Sequence, residues 1–195
     1  MSTIPRIVVY PPSWTGSSSP TNDLLPEVGH HRRIAMPIPQ TVKTRLDREH
    51  VHYDVLPHPQ AFRATAVART LHVPEQQMAK AVIVKVKTQF VTTVLPAKWR
   101  VDLPCLRKMF GTHRVRLATE QEIKGLFPDC ELGAMPPLGT LYGLPVYVDR
   151  SLTRDEQIIF EGGTHSEAIR MRYWDFAALV FPVVADFHCE SMARC

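Results

Sequence analysis

Between Ala81 and Lys87 the chain packs Val82, Ile83, Val84 and Val86 into a few positions, and the second half of the run alternates these with Lys85 and Lys87. β-Branched side chains are stiff at χ1 and pack best on a pleated surface, so this stretch predicts a half- to fully buried strand. A strand of that kind obliges the chain to supply a sheet. Phe90-Val91-Thr92-Thr93-Val94-Leu95 is the nearest partner and can pair with it across the Thr88-Gln89 turn. Lys80 stands just before the run. A lysine there either solvates the strand end or, held by rigid backbone, reaches into a cleft.

The remaining patterns are short. Helices are predicted from Thr41 (apolar Val42 and Leu46), over Thr65 to Leu71 and over Tyr173 to Phe181. Asp102-Leu103-Pro104 opens another through Phe110, with proline inside its first turn. Thr119 followed by Glu122 makes a capping box for a helix through Leu126. Strands are predicted at His52 to Leu56, Arg114 to Leu117, Pro145 to Asp149, Gln157 to Glu161 and Ala168 to Met171. Helices and strands do not alternate strictly. That favours an α+β class, a compact single domain with a curved mixed β-sheet and short surrounding helices.

Composition sets the limits. A chain of 195 residues, 45% hydrophobic and 22% charged, can bury a core. Residues 1–35 differ from the rest, with Pro5, Pro11, Pro12, Pro20 and Pro26 breaking any helix and Gly16-Ser17-Ser18-Ser19 reading as linker. They are expected to form a disordered or loosely packed extension, with the domain at 36–186 and a tail at 187–195. Four scattered cysteines without CxxC fit free thiols in a reducing compartment, which points to the cytoplasm. No apolar run reaches membrane-spanning length, and the nine histidines show no metal-ligand spacing, so neither a membrane partner nor a metal is expected. The net charge of +4 is unevenly spread. Lys98, Arg100, Arg107, Lys108, Arg114 and Arg116 stand against Asp102 alone, a local +5, with Lys85 and Lys87 as extensions. Such a run is either a solvated face or a polyanion site.

Two further features cost conformational freedom. Gly133-Ala134-Met135-Pro136-Pro137-Leu138-Gly139 combines φ-fixing prolines with glycines that let backbone approach a ligand closely. Gly162-Gly163-Thr164-His165 ends a strand in a glycine pair that carries a histidine. Alone, each also reads as an ordinary turn.

Taken in order, Met78-Ala79-Lys80-Ala81-Val82, the Gly133 to Gly139 loop and Phe160-Glu161-Gly162-Gly163-Thr164-His165 resemble the YbaK/prolyl-tRNA synthetase-associated domain family. The resemblance runs from about Met36 to Asp186 and includes Leu56-Pro57-His58-Pro59 and Leu95-Pro96-Ala97. It implies a YbaK-like α+β fold and a trans-acting aminoacyl-tRNA deacylase, a hydrolase that cleaves the ester of a mischarged tRNA in translation quality control. The implied catalytic residues are Lys80, Gly133 and His165. The implied substrate-binding residues are His58, Met135, Pro136, Pro137, Leu138, Gly139, Gly162 and Gly163. Many members carry serine where this chain has Pro136. No cofactor is implied; the implied partners are the acceptor end of mischarged tRNA and, secondarily, an aminoacyl-tRNA synthetase. No GxSxG, Cys-His pairing or metal motif offers a covalent or metal-assisted route, which leaves water as the nucleophile. The alternative is a non-catalytic tRNA-binding or regulatory module of the same fold.

Overall fold

The computed structural model describes residues 37–189; the expectations for residues 1–35 and 190–195 lie outside the described residues. Helix α1 (Gln40–Arg48) leads to β1 (Tyr53–Pro57), α2 (Ala64–Thr70), the hairpin of β2 (Ala79–Val86) and β3 (Gln89–Pro96), and the short β4 (Arg100–Val101). Then follow α3 (Leu103–Met109), β5 (Val115–Leu117), α4 (Glu120–Leu126), β6 (Val146–Asp149), β7 (Gln157–Thr164), β8 (Glu167–Arg172), α5 (Tyr173–Val180), β9 (Val183–Ala185) and β10 (His188–Cys189). Tight 3₁₀ turns occupy Gly139–Tyr142 and Arg150–Arg154.

Local chemistry explains the helix starts. The Asp102 side chain accepts the Cys105 backbone N–H at 2.9 Å, satisfying a donor that the first turn leaves orphaned. At α4 the Thr119 hydroxyl accepts from the Glu122 N–H, and Glu122 accepts in return from the Thr119 N–H at 2.9 Å.

The strands form a mixed five-stranded sheet ordered β5-β2-β3-β6-β9, an antiparallel three-stranded sheet ordered β1-β8-β7, and the pair β10-β4. This is the expected α+β class with a mixed sheet. Ala79, Val94, Val146 and Val148 of the larger sheet share a core with Ile158, Phe160, Ile169 and Met171 of the smaller one, closed by Val42 and Leu46 of α1 and Phe176 and Leu179 of α5.

One bridge ties the two sheets together. Met78 pairs with Ile159 in parallel, and the Ile159 N–H donates to the Gln77 carbonyl at 2.9 Å. Side chains alternate along a strand. Met78 and Ile159 therefore pack toward α2, in a cluster with Val67, Ala68 and Ala168, while Ala79 and Phe160 face the main core. Two residues further along each strand, on the α2 side, stand Lys80 and Glu161. Beyond the bridge β2 pairs with β3 and β7 with β8, so the two strands part at this level.

Three features differ from expectation. The packed chain does not end at Asp186: Phe187 is fully buried and His188–Cys189 pairs with β4. Buried Asp149 anchors this segment, accepting the Phe187 N–H at 3.1 Å and contacting His188 Nδ1 at 2.9 Å besides the Ser151 N–H and hydroxyl. Burial pushes its carboxyl's proton affinity up, but those hydrogen bonds outweigh burial and hold it below the usual range. Strands β4, β9 and β10 were not expected; each has only two or three residues and exists through its partner. Cys105 and Cys130 are free thiols, whereas Cys189 is disulfide-bonded, against the expectation of thiols throughout.

Candidate active site

Where β2 and β7 part, a cleft of about 730 Å³ opens on the α2 side. Phe62 and Arg63 border it from the entry to α2, Lys98 to Arg100 from the segment after β3, and Lys80, Gly133 and Glu161 from its inner side.

The Lys80 ammonium donates to the Ala97 carbonyl at 3.0 Å, and the Ala97 N–H is in turn held by the Met78 carbonyl at 2.7 Å. No carboxylate pairs with Lys80 among the described residues. Burial lowers its pKa from the ordinary lysine value, and the Arg100 charge lowers it further against a smaller opposing pull from Glu75. The result is an oriented ammonium with N–H capacity left for a ligand.

Gly133 sits at φ +99°, a conformation that side chains disfavour. Its N–H points to the thioether sulfur of Met135 at 3.2 Å, a weak acceptor that a better one can displace. Behind it stands His165, whose ring would lie 3.3 Å from a Cβ at position 133.

Buried His165 is held at three points. Its backbone N–H donates to Glu131 at 2.6 Å, Nε2 meets the Leu132 carbonyl at 2.9 Å, and Nδ1 meets Glu161 at 3.0 Å. A carbonyl can only accept, so Nε2 carries a hydrogen. One further proton then lies between Nδ1 and the Glu161 carboxyl, and the two residues share it. Burial pushes the Glu161 carboxyl up to about 7; His165 opposes the rise and Glu131 adds to it.

The structure thus brings Lys80 and Gly133 onto one cleft and places His165 immediately behind it. The other expected site residues do not line that cleft. Ala134 through Gly139 are buried: Met135 packs with Phe127, Leu144 and Ile83, and Leu138 joins the main core. Pro136 and Pro137 lie in the same buried run. The backbone of Gly139 passes so close to Thr92 and Val146 that a Cβ there would sit 3.0 Å from the valine. Gly162 and Gly163 make room for Ile38 and Pro39, where a Cβ would come within 2.8 and 2.7 Å. His58 is buried with Nδ1 against the Pro59 carbonyl at 2.9 Å and Nε2 without a partner among the described residues. These glycines do permit close approach, but of the protein's own chain.

Sequence reasoning missed Phe62, Arg63, Trp99 and Glu161 as cleft residues. Lys98 and Arg100 were visible only as part of the basic run, which the structure divides. Lys98 and Arg100 face the cleft, Arg107 and Lys108 border a separate depression near His113, and Lys85 and Arg116 are bound by Glu122 at 2.8 and 2.7 Å. No group of three His, Cys, Asp or Glu among the described residues is placed to hold a metal ion, and no helix among them is long and apolar enough to cross a membrane.

Comparison with known proteins gives the chain a family. The model of the aminoacyl-tRNA editing domain matches residues 58–179, more than half of the chain, and the protein belongs to that family. The match spans β1's exit, the cleft and most of α5. No curated protein matches the chain significantly. Among solved structures, one of a proposed trans-editing enzyme for prolyl-tRNA synthetase is 23% identical with a TM-score of 0.67, covering 77% of this chain and 98% of that one. A hypothetical protein, APE2540, aligns at 21% identity and a TM-score of 0.71 over 77% of this chain and 100% of its own. A scaffold from a computational epitope-grafting design aligns at 24% and 0.69, over 78% and 97%. At such identities the likeness is one of fold.

Proposed function

We propose that this protein is a trans-acting aminoacyl-tRNA deacylase, a hydrolase that removes wrongly attached amino acids from tRNA by water attack on the ester. The observation that carries the reading is the meeting of Lys80 and Gly133 on one cationic cleft in a chain of the editing-domain family. An aminoacyl ester is already reactive, so about three powers of ten in rate need only ~4 kcal/mol of barrier lowering. Preorganised donors in a partly desolvated site can supply that. Lys80 holds the terminal phosphate or the developing oxyanion. The weakly engaged Gly133 N–H turns to the ester carbonyl. The free ribose hydroxyl of the substrate orients the water.

His165 acts from behind the cleft. With both ring nitrogens engaged, it fixes the Leu132–Gly133 peptide rather than touching substrate. Lys98, Arg63 and Arg100 receive the phosphates of the acceptor end. Small side chains such as alanine, serine, threonine or cysteine are the expected cargo, the cytoplasm is the expected location, and a synthetase is the expected second partner. The test is a deacylation assay across Ala-, Ser-, Thr- and Cys-tRNA with the wild type and K80A. Turnover of at least one substrate, abolished in K80A, supports the proposal. Tight tRNA binding without turnover overturns it in favour of a non-catalytic module.

A further inference from the structure

The cleft is lined by five cations, Arg63, Arg69, Lys80, Lys98 and Arg100, and by two acids. One acid, Glu75, is already spoken for by Arg69 at 3.5 Å. The other, Glu161, has no cationic partner within the cleft. One of its oxygens meets His165, and the second takes no hydrogen bond from any described residue. That residue is 6% exposed and borders the cleft, so its unclaimed oxygen is available to a donor that enters there.

Aminoacylated tRNA has a matching charge pattern. Its backbone is anionic throughout, and its one cation near the ester is the α-ammonium, two bonds from the carbonyl carbon. The basic side of the cleft suits the phosphates, and the acid suits the ammonium. Position agrees with charge. Glu161 and Lys80 leave the bridge between β2 and β7 at the same level, and the histidine bound to Glu161 backs onto Gly133. An ammonium at Glu161 therefore leaves its ester beside the two groups assigned to the reaction. Resting on the deacylase reading, we infer that Glu161 is the residue that recognises the free α-ammonium of the aminoacyl group, so that tRNA carrying an N-acylated amino acid is spared.

The Glu161–His165 contact suits this task because it holds the carboxyl in place at the cleft wall. An arriving ammonium favours the charged carboxylate, which burial alone disfavours. The charged groups facing Glu161 are His165 beside it, Glu131 on the loop before Gly133, and Arg63 and Lys80 along the cleft.

The experiment compares Ala-, Ser-, Thr- and Cys-tRNA with their N-acetylated counterparts, using wild type, E161Q and E161D, with rates expressed relative to spontaneous hydrolysis. For whichever amino acid is turned over, the wild type should prefer the free amine by about tenfold or more, the scale of one charge-assisted hydrogen bond. E161Q should lose about ten- to a hundredfold more on the free amine than on the acetylated form, mostly in KM, so that the preference collapses. E161D, which keeps the charge, should retain a preference. A wild type that hydrolyses both forms equally overturns the ammonium site and leaves the deacylase reading intact. An E161Q variant that loses both forms equally overturns it as well. If no aminoacyl-tRNA is turned over, the deacylase reading fails and this inference falls with it.

Discussion

Lys80 and Lys85 leave the same strand on opposite faces, and their surroundings are opposite in kind. Lys85 is discharged by the protein: Glu122 lies at 2.8 Å, the Phe90 ring at 4.8 Å, and Arg116 shares the same carboxylate. That carboxylate also caps α4 and is held well below the usual carboxylate range by Arg116, Lys85 and the Thr119 N–H. Lys80 is half-buried with a neutral carbonyl as its partner and no carboxylate among the described residues. A charge matched within the fold serves the fold. A charge oriented, partly desolvated and left unmatched is available to a ligand, and the contrast follows from what each lysine meets rather than from the residue type.

Removing Lys80 should sharpen this contrast most. K80A is expected to lower deacylation by about a thousandfold or more, with the Tm within a few degrees of wild type. A large loss of Tm in scanning calorimetry would make Lys80 a structural residue like its neighbour. G133A comes next. Its Cβ would meet the His165 ring at 3.3 Å on a backbone at φ +99°, so a stability loss of about 1–2 kcal/mol and a rate loss of about tenfold or more are expected, read by urea titration and single-turnover kinetics.

Neutralising the cleft cations gives a smaller effect. The double variant K98A/R100A should weaken tRNA binding and flatten its dependence on salt by about one to two counterions, measured as the slope of log K against log salt. An unchanged slope would move the phosphates elsewhere. Smaller again is a stability effect at Glu161. Its folded pKa of about 7 lies above the reference value of 4.5, so the folded state holds the proton more tightly. That contribution is complete below pH 4.5 and is lost as pH rises through 7. Relative to wild type, E161Q should therefore lose less stability over that interval. At the far end of the scale, K85A should leave deacylation within about twofold, and a larger fall would dissolve the comparison.

Most of the fold was legible because its long strands are β-branched runs and two of its helices begin with a self-satisfying cap. The runs around Val82 to Val86 and Val91 to Leu95, the Asp102 start and the Thr119–Glu122 box are local signals, and local signals survive in sequence. Strands β4, β9 and β10 left none, because two residues acquire strand geometry only when a partner meets them. Phe187 looked like a stray aromatic in a tail because its pocket is assembled from distant segments.

The site was legible in part for a related reason. Glycine reports that something comes close but not what it is. At Gly133 the neighbours are a histidine ring on one side and the cleft on the other, whereas at Gly139, Gly162 and Gly163 they are the protein's own chain. Glu161 was passed over because an acid that closes an apolar run reads as the wet end of a strand. Only the register with β2 turns it inward.

That register has a mechanical corollary. Lys80 and Glu161 stand on prongs rooted in separate sheets, and the only isolated bridge among the described residues that fastens the prongs is Met78 against Ile159. The aperture between ammonium and carboxyl is accordingly gauged at the root of the fork, by two apolar side chains wedged beneath α2 that do not line the cleft. Enlarging or trimming either of them would change that aperture without altering a single polar group.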